Sequence, residues 1–112
     1  MADKNQEQKI QEMHFLEQNF QNLLMQKQAF QMELSEARSA LKEVEKSGDE
    51  VFKIIGQLMI KADKKKVKEE LENKDKLLSL RVKTIEKQEG SIREQLEKLH
   101  DEVRNSASKK SK

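Results

Sequence analysis

The chain has 112 residues, of which 39% are charged and 34% hydrophobic, and it contains no cysteine, proline, tryptophan or tyrosine. Globular domains carry about 25% charged residues, so this more highly charged chain cannot form a large hydrophobic core by itself. An enzyme, whose pocket needs apolar walls, is also disfavoured. Without cysteine, neither a disulfide framework nor a thiolate metal site can form. The hydrophobic residues recur periodically, which favours long helices over disorder.

The formal net charge of +2 comes from the C-terminal end of the chain. Lys109, Lys110 and Lys112 supply it, and the remainder of the sequence is slightly acidic. This balance does not favour nucleic acid as a partner. The first residues lack the apolar stretch of a signal peptide, and no apolar run approaches the roughly 18 residues of a membrane span. We therefore expect a soluble, cytoplasmic protein that binds neither nucleic acid nor a membrane.

A heptad seam runs through the first part of the chain, at alternating spacings of three and four residues. Nine of its ten positions are apolar, which predicts a coiled-coil helix over residues 4–47. Ser47 and Gly48 end the pattern, because glycine readily takes the left-handed conformation that terminates helices. The seam positions are Met13, Leu16, Phe20, Leu23, Lys27, Phe30, Leu34, Ala37, Leu41 and Val44.

An apolar segment from Val51 to Ile60 separates the two charged halves of the chain, and it predicts a β-hairpin over residues 48–62 that turns at or beside Gly56. Apolar residues occupy both odd and even positions, so both faces of the hairpin need cover. An isolated two-stranded hairpin is marginal in water, and the flanking helices are too polar to wrap it. We therefore predict that other chains cover this segment. The predicted assembly residues are Val51, Phe52, Ile54, Ile55, Gly56, Leu58, Met59 and Ile60.

A second heptad seam follows the hairpin. Asp63 is a suitable N-cap, and the pattern predicts a coiled-coil helix over residues 63–107, followed by a disordered basic tail over residues 108–112. Asp75 and Glu89 interrupt the seam with charge. The apolar seam positions are Leu71, Leu78, Val82, Ile85, Ile92, Leu96, Leu99 and Val103.

The short hairpin forces the two helices to run antiparallel. The two seams face each other when residues whose numbers add up to 112 are placed opposite one another. The midpoint of that register is Gly56. The same register puts Lys27 one turn from Glu89, so these polar interruptions are expected to pair. Helices of about 42 residues extend roughly 63 Å, which predicts a rod. A slip of one heptad is the alternative alignment.

Three stretches of the sequence resemble the beta-class subunits of prefoldin, of the archaeal type. They are residues 53–63, Val67 with the segment 69–71, and residues 83–89. The helix–hairpin–helix order also matches that class, whereas alpha-class subunits carry two hairpins. The sequence departs from the family at residues 64–66, where three lysines replace the more usual acidic residues, and at Gly90. The resemblance covers nearly the whole chain, as a single domain over residues 1–112.

This resemblance implies an assembly and a function. Prefoldins are hexamers of two alpha and four beta subunits, in which the hairpins form an intersubunit β-barrel platform and the coiled coils extend from it. They hold non-native proteins without ATP and pass them to a group II chaperonin. The expected partners are therefore an alpha-class subunit, other beta copies, non-native proteins and a group II chaperonin.

Client binding is expected at the end of the coiled coil that is remote from the hairpin. Ile10 and Phe15 lie off the seam and lack a partner there, whereas the other candidates lie on it and could serve only to close the coil. Exposed apolar side chains, including flexible methionine, suit varied unfolded clients. The candidate client-binding residues are Ile10, Met13, Phe15, Leu16, Leu99 and Val103.

Other functions have weaker support in the sequence. A coiled-coil adaptor or tether with one folded partner is the main alternative to a chaperone. His14 and His100 could approach each other, but two histidines without a third ligand are weak evidence for zinc. No nucleophile stands with a base and an orienting group, so we expect no catalytic site, cofactor or bound metal.

Overall fold

The computed structural model describes the backbone of residues 2–110 and the side chains of residues 4–105. Two long helices flank an antiparallel hairpin, in the order α1 (Ala2–Lys46), β1 (Val51–Ile55), β2 (Leu58–Ala62) and α2 (Lys64–Lys110). The predicted fold class, mainly α with a central hairpin, is confirmed. The backbone of residues 108–110, which were expected in a disordered tail, continues α2. Residues 111 and 112 lie outside the described part of the chain.

The chain divides into two compact units, each of which contains a part of both helices. The hairpin unit comprises residues 28–83, and the terminal unit comprises residues 1–27 and 84–112. In both units, every predicted seam position is buried or half-buried. The two heptad patterns therefore identified the packed face of each helix.

Side-chain hydrogen bonds cap the two helices where they meet the hairpin. The Ser47 Oγ donates to the Val44 carbonyl oxygen at 2.7 Å, which satisfies one of the last carbonyls of α1. Asp63 is the N-cap of α2, as predicted, because its Oδ1 accepts from the Lys65 backbone N–H at 3.2 Å. Lys64 Nζ donates to the Ser47 carbonyl oxygen at 2.8 Å. Lys64, the first lysine of the unusual run, thus places its charge at the negative end of α1.

Packing in the hairpin unit centres on Leu78, Ala37 and Val67, which are its buried helical residues. Val67 was not among the predicted seam positions. Arg38 Nε lies 2.9 Å from Asp75 Oδ2, so the charge that interrupts the second seam is paired. The predicted register puts residue 38 opposite residue 74, and the observed partner lies one position further along.

Packing in the terminal unit obeys the same register. Arg93 lies over the Phe20 ring, 5.5 Å from its centroid, where the predicted register puts residue 20 opposite Ile92. Lys9 Nζ lies 3.4 Å from Glu102 Oε2, again within one position of the expected partner. A slip of one heptad would place residue 20 opposite Ile85. The observed contacts exclude that alignment.

No helix in the described part of the chain is long and apolar enough to cross a membrane.

Candidate functional site

The hairpin is a regular antiparallel ladder with a two-residue turn. Val51 pairs with Ala62 and Ile55 pairs with Leu58, which leaves Gly56 and Gln57 as the loop. Gly56 has a φ of 60°, the one positive φ in the described chain. A glycine with positive φ at the first loop position fits a type II′ turn, whose twist matches that of the strands. The prediction of a turn at or beside Gly56 is confirmed.

Both faces of the hairpin carry exposed apolar side chains. Directly paired residues share a face, so Ile54 and Met59 lie on one face and Ile55 and Leu58 on the other. Val51 alone among the predicted apolar assembly residues is buried. The other six are between 45% and 73% exposed: Phe52, Ile54, Ile55, Leu58, Met59 and Ile60. This chain by itself therefore leaves both faces without cover, as the sequence predicted.

The hairpin is attached to α2 by an ion pair. Lys53, in the middle of β1, bonds through its Nζ to Glu70 Oε2. Lys53 stands opposite Ile60 in the ladder, on the same face as Val51. That face is therefore joined to the helix at Lys53, while Ile55 and Leu58 near the turn stay exposed. This ion pair leaves the apolar side chains of the hairpin uncovered.

The candidate client-binding residues lie in the terminal unit and differ in exposure. Phe15 is 63% exposed and Ile10 is 40% exposed, in agreement with their positions off the seam. Leu16 is buried, so its main role in this structure is to pack the seam. Met13, Leu99 and Val103 are half-buried. Their contact with a client stays a prediction.

Sequence reasoning missed several exposed apolar residues that lie outside both candidate sites. Met25 and Met32, one heptad apart on α1, are each 67% exposed, and Leu77 on α2 is 50% exposed. In the sequence, each of them could have been identified as an apolar residue that lies away from the heptad seam. Such single exposed residues are common on protein surfaces and need no special function.

A buried ion pair crosses the seam of the terminal unit. Lys27 Nζ donates to Glu89 Oε2 at 3.2 Å and lies 2.9 Å from Oε1, which has no hydrogen bond of its own. Glu89 is the one buried charged residue of the described chain. The predicted pairing of these two seam interruptions is confirmed.

The described residues contain no group of three His, Cys, Asp or Glu side chains that could hold a metal ion. His14 Nδ1 instead lies 3.9 Å from Glu17 Oε2, one turn further along its own helix.

The architecture and the exposed hairpin agree with one known family. The family model described as prefoldin subunit matches residues 7–110, which is almost the whole chain. The chain belongs to the prefoldin family. Prefoldins are chaperone subunits, and the chain is thus a member of a chaperone family with a coiled-coil and hairpin fold.

Archaeal prefoldin beta subunits are among its relatives. The chain is 39% identical over 89 residues to that of Thermococcus onnurineus, covering 78% of this chain and 77% of the relative. It is 40% identical over 93 residues to that of Methanothrix thermoacetophila, covering 81% and 78%. The crystal structure of the prefoldin beta subunit from Thermococcus strain KS-1 matches with a TM-score of 0.84, 32% identity and 91% of both chains covered. The resemblance to the archaeal beta class is confirmed.

Proposed function

We propose that the chain is the beta-class subunit of an ATP-independent chaperone of two alpha and four beta subunits. The observation that carries this proposal is the hairpin, which exposes six large apolar side chains on its two faces. An exposed apolar edge of this kind aggregates unless it is covered. Hairpins of neighbouring alpha and beta subunits would cover it by forming a common β-barrel platform.

The proposed activity is to hold non-native proteins at the ends of the coiled coils. Phe15 and Ile10 support this role, because they present apolar surface within a highly charged helix. Half-buried Met13, Leu99 and Val103 would add contact area where the coil opens. Each subunit would bind weakly, and several subunits around one client would multiply those contacts into useful affinity.

We further propose that the complex works in the cytoplasm and passes its clients to a group II chaperonin. Membership of the prefoldin family supports both statements. A holdase needs no nucleotide, because its contacts with the client are non-covalent and reversible. Release then depends on competition between the chaperonin and many weak contacts.

Reconstitution with an alpha-class subunit tests the proposal. The mass of the complex should correspond to two alpha and four beta chains. The complex should suppress aggregation of two unrelated unfolded proteins, without ATP, at near-stoichiometric amounts. A tether would bind one folded partner and leave both aggregation reactions unchanged, and that result would overturn the holdase assignment.

A further inference from the structure

A groove without ionisable groups lies between α1 and α2 inside the terminal unit. Its volume is about 430 Å³. Its walls carry amide and hydroxyl side chains, and Leu23 and Ile92 of the two seams form its apolar part. The polar lining residues are Asn19, Asn22, Gln26, Gln88 and Ser91.

The absence of ionisable side chains distinguishes this groove from the rest of the chain. Charged residues make up 39% of the sequence. A second groove of the same unit is lined mainly by ionisable groups, among them Arg93, Glu97, Asp101 and Arg104. The neutral lining therefore does not simply follow from the composition of the unit, and it marks one side of the coil as different from the other.

The lining suits the main chain of an unfolded protein. Each amide side chain both donates and accepts hydrogen bonds, as each peptide group of an extended chain does. Ionic groups would instead impose a desolvation cost and favour clients of one charge. From Asn19 to Gln26 the helix rises about 10 Å, which corresponds to about three residues of extended chain.

Phe15 lies on the same face of α1 as the amide residues that line the groove. Phe15, Asn19, Asn22 and Gln26 follow one another at spacings of four, three and four residues, so they lie on one face of the helix. Phe15 is 63% exposed at the start of this stripe. An apolar anchor is thus followed by a row of amides.

We propose that this groove binds a short, extended and uncharged segment of non-native polypeptide, chiefly through hydrogen bonds to its main chain. Phe15 receives an apolar side chain of the same segment. Binding of this kind is independent of client sequence, because every client has the same main chain. The inference rests on the proposed holdase function and assigns its main-chain contacts to residues outside the predicted client-binding set.

The test compares two peptides on the complete complex with its alpha-class partner. One is a fluorescein-labelled peptide of repeated Leu-Ser-Gly units, and the other carries N-methyl groups on alternate residues, which removes main-chain donors but keeps the side chains. Fluorescence anisotropy measures the affinity of each. We expect methylation to weaken binding by about fivefold, the equivalent of about one net hydrogen bond. Equal affinity for the two peptides, or no binding of either, overturns the inference.

Matched substitutions locate the effect. Gln26→Glu places a charge in the groove, whereas Gln21→Glu makes the same change at an exposed position on another face of the same helix. We expect Gln26→Glu to weaken binding of the unmethylated peptide by about threefold or more and Gln21→Glu to leave it unchanged. Equal effects of the two substitutions contradict the proposed groove.

Two further readouts separate the possible failures. If Gln26→Glu changes the mass of the complex, the groove is an interface between subunits and the inference is wrong. If the wild-type complex fails to suppress aggregation of unfolded proteins, the proposed holdase function fails as well. If suppression persists but neither substitution affects the peptide, only the groove is rejected. Helical circular dichroism of both variants confirms that they fold.

Discussion

Lys27 and Glu89 meet across the seam of the terminal unit, with 2.9 Å between Nζ and Oε1, and only 6% of the Glu89 side chain is exposed. Every neighbouring seam position is apolar. A buried ion pair of this kind contributes little net stability, because desolvation offsets most of the attraction. Its expected effect is to specify alignment, since any slip separates the two charges.

Removing one partner of this pair should destabilise the protein more than removing both. Lys27→Leu leaves the Glu89 carboxylate buried without a counter-ion, and we expect a loss of about 2 kcal/mol in the free energy of unfolding. Lys27→Leu with Glu89→Leu should restore most of that loss. Urea denaturation followed by circular dichroism measures both. Additive losses in the double variant would contradict this account.

The double variant should also lose its preference for one register. The sequence has no cysteine, so pairs of introduced cysteines report alignment directly. We expect Phe20→Cys with Ile92→Cys to cross-link in the otherwise unchanged chain, and Phe20→Cys with Ile85→Cys to stay reduced. In the background that lacks both charges, the second pair should begin to cross-link. If it stays reduced there, the ion pair is not needed to set the register.

The Arg38–Asp75 pair should make a small, acid-sensitive contribution to stability. The Arg38 guanidinium hydrogen-bonds to the Asp75 carboxylate and lowers its pKa from the ordinary range. A lowered folded-state pKa contributes stability that is present above about pH 4 and is lost as pH falls through the folded-state value. Both side chains are partly exposed, so water screens the attraction.

Thermal unfolding against pH tests this pair. We expect Asp75→Asn to melt slightly below the unchanged protein at neutral pH, and the difference to disappear in acid. Asp49→Asn, at an exposed carboxylate outside the helices, is the control and should show no such convergence. A difference between Asp75→Asn and the unchanged protein that is constant from neutral pH to acid would rule out titration of Asp75 as the cause.

Substitution by alanine should have opposite effects on stability at Gly90 and at Gly56. A Cβ at Gly90 meets no atom within 4 Å, and alanine is about 1 kcal/mol more favourable than glycine inside a helix, so Gly90→Ala should stabilise. Gly56 has space as well, but its φ of 60° disfavours alanine, so Gly56→Ala should destabilise the turn by about 1 kcal/mol. The denaturation midpoints of both variants show whether each substitution raises or lowers the stability of the protein.

A charge on the hairpin should block assembly without unfolding the subunit. Ile54 is 73% exposed, so Ile54→Asp costs the isolated chain little, but in a platform its carboxylate would be buried. We expect Ile54→Asp to give helical monomers on a sizing column, even with an alpha-class subunit present. Gln57→Asp at the turn is the control and should assemble. An intact hexamer with Ile54→Asp would refute the proposed platform.

Polar substitutions in the terminal unit should weaken client holding. Ile10→Ser with Phe15→Ser removes the exposed apolar side chains of the predicted site, and we expect suppression of client aggregation to fall about threefold or more. Met32→Ser removes an equally exposed apolar residue from the hairpin unit and should have no effect. If the double variant suppresses aggregation normally, the client site lies elsewhere.

The sequence by itself determined the helices, their packed faces, the N-cap at Asp63 and the turn at Gly56. Each of these depends on residues close together in the chain: a heptad repeat decides which face of a helix is apolar, and a glycine decides where a positive φ is tolerated. The need for partners at the hairpin was equally visible, because apolar residues at consecutive positions leave no polar face.

Only the tertiary structure decided which of the possible alignments forms and which side chains beside the seams meet. The hydrogen bond from Lys64 to the Ser47 carbonyl, the burial of Val67 and the neutral groove beside Gln26 all depend on side chains that are distant in sequence. A heptad pattern repeats every seven residues, so by itself it permits several alignments. Once contacts such as Arg93 with Phe20 select one of them, each flanking residue acquires a definite neighbour or a definite exposure.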